Sequence, residues 1–374
     1  MSNGSNSWAE FGINLYLQVI QSQHSKNVVI SPYGSRMVLG LAFLGASSST
    51  KEEMAAILKF PDHKASAAEY FKQKTLEWKK QRGLVLANKI YIQSGHSLDS
   101  IYVETVQKSF ESSVESIDFS HRAKAVKHIN SSFESRTNKK IKTVLEPNDL
   151  IANPKIVLVD AIHFKGFWKT GFNADMTKKG DFWINEEESV SVDMMVTRRI
   201  TFPCAELDNL DATVVELPFS NDNASMLVIL PRSKTGLNII EENLGEVDVI
   251  GLRKTMGNKE VTLTIPKFSI EFGVDLVGAL EQIGFHKMVA DYADFSDLLK
   301  RPSNMNISNI IHKAAIVVNE NGTPGKDSDC VIVPLHPRHD QLDFNADHPF
   351  MYIILLRDEI AFIGRIVNFQ PKLE

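Results

Sequence analysis

Ile156-Val157-Leu158-Val159-Asp160-Ala161-Ile162-His163-Phe164 is the stretch on which the fold turns. It is almost continuously apolar, too short for an ordinary helix, and bounded by Pro154 and Gly166. Alternate side chains of a strand point to opposite faces, so a run that is apolar on both parities predicts a central strand buried on both sides. Working outward, Val214 to Phe219 and Ser225 to Leu230 flank a polar turn at Ser220 to Asn223, and Val261 to Ile270 alternates apolar and polar residues. Phe350 to Leu356 and Ile360 to Asn368 enclose the short turn Arg357 to Glu359 as a hairpin. The first third reads differently. Trp8, Phe11, Leu15 and Val19 recur at helical spacing; Ser31 with Pro32 is an N-cap and first turn for a helix through Leu44. Thr50 with Glu53 predicts a capping box for a third helix. Helices first and strands later define an α+β chain.

With 374 residues, 43% hydrophobic and 23% charged, the chain has ample material for a core. Its formal charge of -5 shows no bias toward phosphate or anionic lipid, so nucleic acid is excluded as an expected partner. No window reaches a membrane span, and no basic, apolar leader opens the sequence. The chain is therefore expected to be cytoplasmic or a mature secreted form. Cys204 and Cys330 are the only cysteines, too few for a disulfide framework or a metal motif.

Motif-borne catalysis lacks its minimum requirements. There is no G-x-S-x-G, H-E-x-x-H or G-x-G-x-x-G. Gly325-Lys326 approaches a phosphate loop, but Glu320 and Asp327 occupy its required glycine and hydroxyl positions. Cys330 has no feature that lowers a thiol pKa, and His336, His339 and Asp340 are a weak metal cluster. The expectation is a protein without catalytic residues, metal or cofactor. One segment stands apart: after Ala314 to Val318 comes a long run containing Gly322, Pro324, Gly325, Pro334 and Pro337. Structureless loops beyond about 12 to 15 residues are uncommon in compact domains and are usually functional or disordered.

These segments, in this order, resemble the serpin family along essentially the whole chain. The resemblance is carried by Asn27-Val28-Val29-Ile30-Ser31-Pro32, Leu44-Gly45-Ala46, Ala87-Asn88-Lys89-Ile90-Tyr91 and Leu158 to Gly166 with Trp168. Glu216-Leu217-Pro218-Phe219, Pro266-Lys267-Phe268, His312-Lys313 and Phe344-Asn345-Ala346-Asp347-His348-Pro349-Phe350 continue it. It implies one serpin-like α+β domain over 1–374 with three β-sheets and eight or nine helices, monomeric, with residues 321–343 as an exposed reactive loop. That loop would be bait for a target endopeptidase, cut and inserted as a new central strand while the protease stays attached. The resemblance places a hinge at Glu320, Asn321, Gly322, Thr323, Pro324 and Gly325, and a shutter under the sheet at Ser31, Gly34, Asp160 and His312.

The chain departs from the family where the mechanism is most demanding. The usual hinge continues into alanines; here Pro324-Gly325-Lys326-Asp327-Ser328-Asp329 follows Thr323. An inserted strand with Thr323 inward also turns Asp327 and Asp329 inward, and Pro324 lacks a ladder donor in either register. The loop is also shorter than usual, which puts the scissile bond near His336-Pro337, a poor site for most serine proteases. Arg338 before His339 is the trypsin-type alternative. Val331, Ile332, Val333 and Leu335 suit the apolar preference of papain-like cysteine proteases, toward which the reading leans over serine proteases. A non-inhibitory carrier, chaperone or protease substrate of the same fold is the competing expectation. Under the sheet, Asp160 and Gly34 replace the usual asparagine and serine. Asp160 is predicted to pair with His312 and favour its imidazolium. Ser132 stands where tryptophan is usual, so packing there is expected to differ.

Overall fold

The structure is a computed structural model that describes residues 3–61, 63–220, 223–301, 303–321 and 341–369. Nine α-helices and fourteen strands lie among the described residues. The strands are β1 (Val28–Ile30), β2 (Leu84–Gln93), β3 (Val114–Ile117), β4 (Ile156–Lys165), β5 (Lys178–Trp183), β6 (Ser189–Leu207) and β7 (Ala212–Pro218). They continue as β8 (Ala224–Pro231), β9 (Gly257–Pro266), β10 (Phe268–Asp275), β11 (Ile307–Val318), β12 (Gln341–Asn345), β13 (Phe350–Leu356) and β14 (Glu359–Ile366).

Five strands in the order β10-β11-β4-β2-β3 make the sheet that contains the opening stretch. β11 and β4 pair in parallel from Ile307 to Val317, whereas β10 on β11 and β2 on β4 are antiparallel. The remaining strands follow the order β1-β14-β13-β8-β7-β6-β9-β12, with β5 added on β6. They divide into two sheets along β6, whose register against β9 shifts between Thr197 and Ile200. Beyond that bulge Cys204–Leu207 joins β7, while Ser189–Met194 pairs with β5. Three sheets result.

β4 is buried on both faces because a different layer covers each one. Ile156, Leu158 and Ile162 join the main core, to which the wholly buried helix Pro32–Gly45 contributes. Val157, Val159 and Ala161 pack with Ile311, Ala315, Ile129 and Phe133, the last two from the helix Arg122–Arg136. That helix also carries Ser132, whose hydroxyl receives the Lys89 ammonium at 3.4 Å; Lys89 is buried and paired with Glu115. A polar cluster thus surrounds Ser132.

Two local expectations fail for tertiary reasons. The third helix runs Ser48–Leu58, but Thr50 accepts the backbone N–H of Asp294 and Glu53 that of Lys287, so neither side chain closes a capping box. The alternating stretch Val261 to Ile270 is two strands in different sheets, parted after Pro266, which ends β9.

Candidate functional site

The residues expected to form a shutter meet where the helix Pro32–Gly45 starts beneath the β4/β11 pair. Ser31 is extended and caps this helix, its hydroxyl accepting from the Gly34 N–H at 3.0 Å and donating to the Ala361 carbonyl at 2.6 Å. Its backbone N–H donates to His312 Nε2 at 3.0 Å. His312 lies opposite Asp160 in the parallel register, and His312 Nδ1 is 2.6 Å from Asp160 Oδ2. Ser31, Asp160 and His312 are all completely buried.

This geometry sets the protons. A ring nitrogen that receives an N–H carries none itself, so the His312 proton sits on Nδ1 and is donated to Asp160. The pair expected from the sequence is formed, but the expected imidazolium is not accommodated: an Nε2–H would face the Ser31 N–H. Asp160 is left as a buried carboxylate whose Oδ1 has no hydrogen-bond partner. Burial pushes its pKa above the ordinary carboxylate range, and the hydrogen bond from His312 opposes this only in part.

Gly34 makes room for that carboxylate. A Cβ there would lie 2.6 Å from Asp160 Oδ2 and 3.0 Å from Oδ1. Gly34→Ser is therefore expected to destabilise the protein by about 1–3 kcal/mol, the usual range for overpacking. Thermal unfolding of the variant checks this, and an unchanged midpoint would refute the crowding.

The second part of the site is at the end of β11. Trp168, stacked on Phe219 with ring centroids 4.6 Å apart, donates its indole N–H to the Asn319 carbonyl at 2.7 Å and its backbone N–H to the Asn321 carbonyl at 3.0 Å. The Phe172 N–H donates to the Glu320 carbonyl at 3.1 Å. The Glu320 carboxylate accepts from the Thr177 hydroxyl at 3.0 Å and pairs with Lys267 at 3.0 Å. Partial burial raises its pKa, but these hydrogen bonds and Lys267 more than compensate, leaving it below the ordinary value. Trp168→Phe keeps the ring and removes the indole bond. It is expected to cost about 1 kcal/mol in thermal stability, measurable as a lowered unfolding midpoint.

Ser31, Gly34, Asp160 and His312, expected as a shutter, are thus brought together, and Glu320 and Asn321 are held at the end of β11. Gly322, Thr323, Pro324 and Gly325 of the hinge lie outside the described residues. So do Val331, Ile332, Val333, Leu335, His336, Pro337, Arg338 and His339 of the reactive loop. At its other end, Gln341, Leu342 and Asp343, expected in the loop, are already strand β12, parallel to β9, with Gln341 Nε2 donating to Thr262 Oγ1 at 3.2 Å. Phe172 and Thr177 carried no local signal, and Trp168 and Lys267 were visible only as parts of family-like motifs. Among the described residues no group of three or more His, Cys, Asp or Glu is arranged to hold a metal, and no helix is long and apolar enough to cross a membrane.

Comparison with known proteins places this architecture. The family model "Serpin (serine protease inhibitor)" matches residues 6–369. The chain is similar to Serine protease inhibitor 42Dd of Drosophila melanogaster, 34% identical over 358 residues, covering 95% of this chain and 94% of that protein. It is similar to Antitrypsin of Bombyx mori, 30% identical over 374 residues, covering 98% of this chain and 94% of that protein. Its structure resembles Serpin48 of Tenebrio molitor, described as a highly specific serpin, with TM-score 0.88 and 28% identity, covering 99% of this chain and 100% of that one. The chain belongs to the serpin family, whose members are generally protease inhibitors rather than enzymes and include non-inhibitory proteins.

Proposed function

We propose that this protein is a single-domain protease inhibitor that offers the short, proline-rich segment between Asn321 and Asp343 to a target endopeptidase as bait. The observation that carries the reading is where the segment is attached. It leaves the five-stranded sheet beside β4, from a hinge held by Trp168 and Lys267, and rejoins the protein at β12 in a different sheet. A chain tethered in this way can be engaged by a protease while the scaffold stays intact. The apolar run Val331-Ile332-Val333 with Leu335 favours a papain-like cysteine protease as target over a serine protease, and either class forms the covalent intermediate that trapping requires.

Pro324, Asp327 and Asp329 oppose full insertion, so the inhibitor holds its protease as a stiff substrate mimic; the same residues support a second reading, in which the cut loop releases an active protease and the protein is a substrate or carrier. Incubation with trypsin-like, chymotrypsin-like and papain-like proteases separates the two. Loss of protease activity that requires the protease's own active site is the expected result with the papain-like enzyme. Rapid loop cleavage with full protease activity in all three cases would establish the second reading instead.

A further inference from the structure

A cavity of about 330 Å³ lies between the helix Asn3–Ile20, the helix Lys64–Lys79 and the β13–β14 turn. Trp8, Tyr70 and Trp78 give it aromatic walls, and Lys74, Glu77 and Glu359 line it as well. Two buried side chains of the helix Pro32–Gly45 lie against these walls. The Arg36 guanidinium, on a residue only 7% exposed, sits 3.5 Å from the centroid of Trp8, and Tyr33, 5% exposed, stacks on Trp78 at 3.6 Å. Arg36 Nε and Nη2 and the Tyr33 hydroxyl have no hydrogen-bond partner among the described residues, although the Tyr70 hydroxyl approaches the Arg36 guanidinium.

Of the acids of the cavity, Glu359 is engaged by Lys74 at 2.6 Å and Glu77 by Lys74 at 3.3 Å and Arg357 at 3.1 Å, while Asp358 on the turn has no ion pair among the described residues and is exposed to solvent. The buried groups left without a partner are donors, and a guanidinium edge with no acceptor is among the costliest groups to bury. We propose that the cavity is a binding site for a small aromatic carboxylic acid. Its ring lies among Trp8, Tyr70 and Trp78, and a shift of the Trp8 indole brings its carboxylate onto Arg36 and the Tyr33 hydroxyl. Such sites are typically apolar with a few placed polar groups, and Arg receives a carboxylate through two N–H bonds.

Occupancy acts on the shutter. Tyr33 and Arg36 flank Gly34 in the first turns of the helix whose cap, Ser31, donates to His312. A ligand bridging that helix to its neighbours holds it in place and resists sheet opening.

The test uses the full chain labelled with 5-fluorotryptophan, which gives one fluorine resonance for each of the 4 tryptophans. Titration with 3-phenylpropanoate is expected to shift the Trp8 and Trp78 resonances, leave Trp168 and Trp183 unmoved, and saturate near about 1 mM. The uncharged 3-phenylpropan-1-ol and the cationic 3-phenylpropylamine are expected to bind at least about tenfold more weakly. Arg36→Met is expected to weaken the acid to the level of the alcohol. No shift up to about 10 mM, shifts at Trp168 or Trp183 instead, or equal binding of the amine would each overturn the proposal. If Arg36→Met does not fold, the three probes on the labelled wild type decide the question alone.

Discussion

Asp160→Asn is expected to raise the stability of this protein at neutral pH and to flatten its dependence on pH. The carboxylate is completely buried, receives one hydrogen bond from His312 and leaves Oδ1 unpartnered. Asparagine keeps the acceptor for the His312 Nδ1–H while removing the charge. Its new N–H donors lie near Asn88, which is in register with position 160 on β2 and whose own amide nitrogen lacks a partner, so a flipped Asn88 amide can accept from it. Replacing a buried charge with a matched neutral group typically contributes about 1–3 kcal/mol, which in a chain of this size raises the unfolding midpoint by a few degrees.

The direction of the pH effect follows from the raised pKa of Asp160. The stability associated with a raised carboxyl is fully present below the unfolded value, about 3.9 for aspartate, and is lost as pH climbs through the folded value. Wild type and variant should converge in acid and diverge as pH rises. Carboxylates held low elsewhere, such as Asp118, Asp294 and Glu320, lose stability in the opposite direction, as pH falls, but they are common to both proteins and cancel in the difference. Separation of β4 from β11 would hydrate Asp160 and favour its ionised form, so opening should become easier with rising pH in the wild type only. Unfolding midpoints of the two proteins measured from about pH 4 to 8 decide it: parallel curves would remove Asp160 as the pH-sensitive group.

The opening stretch was legible as a central strand because its apolar residues fall on both parities, and β4 indeed meets a core on each face. The Ser31-Pro32 helix start was legible because caps are local chemistry. Thr50 and Glu53 misled for the converse reason: both had long-range partners, Asp294 and Lys287, that no local spacing reveals. The Asp160–His312 pair could be suspected from the resemblance, but the proton arrangement depends on the N–H of Ser31, which arrives from the other end of the chain. Lys267 and Thr177 gather on Glu320 from separate strands and turns, so their role emerges only once the sheets are assembled.

The hinge prediction has the larger functional consequence. A strand inserted between β4 and β11 would meet the main core on one side through Leu158, Ile162, Ile310 and Ala314. On the other side it would meet Val159, Ala161, Ile311 and Ala315 under the helix that carries Ile129 and Phe133. No register then offers a solvent-facing side along the middle of the sheet. With Thr323 inward, Asp327 and Asp329 enter the main core; in the opposite register Pro324 and Lys326 do. Each unpaired carboxylate costs several kcal/mol to bury, and Pro324 forfeits a ladder bond of about 1 kcal/mol. The triple substitution Pro324→Ala, Asp327→Ala and Asp329→Ala is expected to favour insertion by at least about 3 kcal/mol, roughly a hundredfold in the partition between trapping and release of the protease. Cleaved wild type should show little gain in unfolding midpoint, whereas the cleaved variant should gain strongly and form a denaturation-resistant complex with its protease. A wild-type protein that already forms that complex, or a variant that behaves identically to it, would show that the polar hinge is no barrier to insertion.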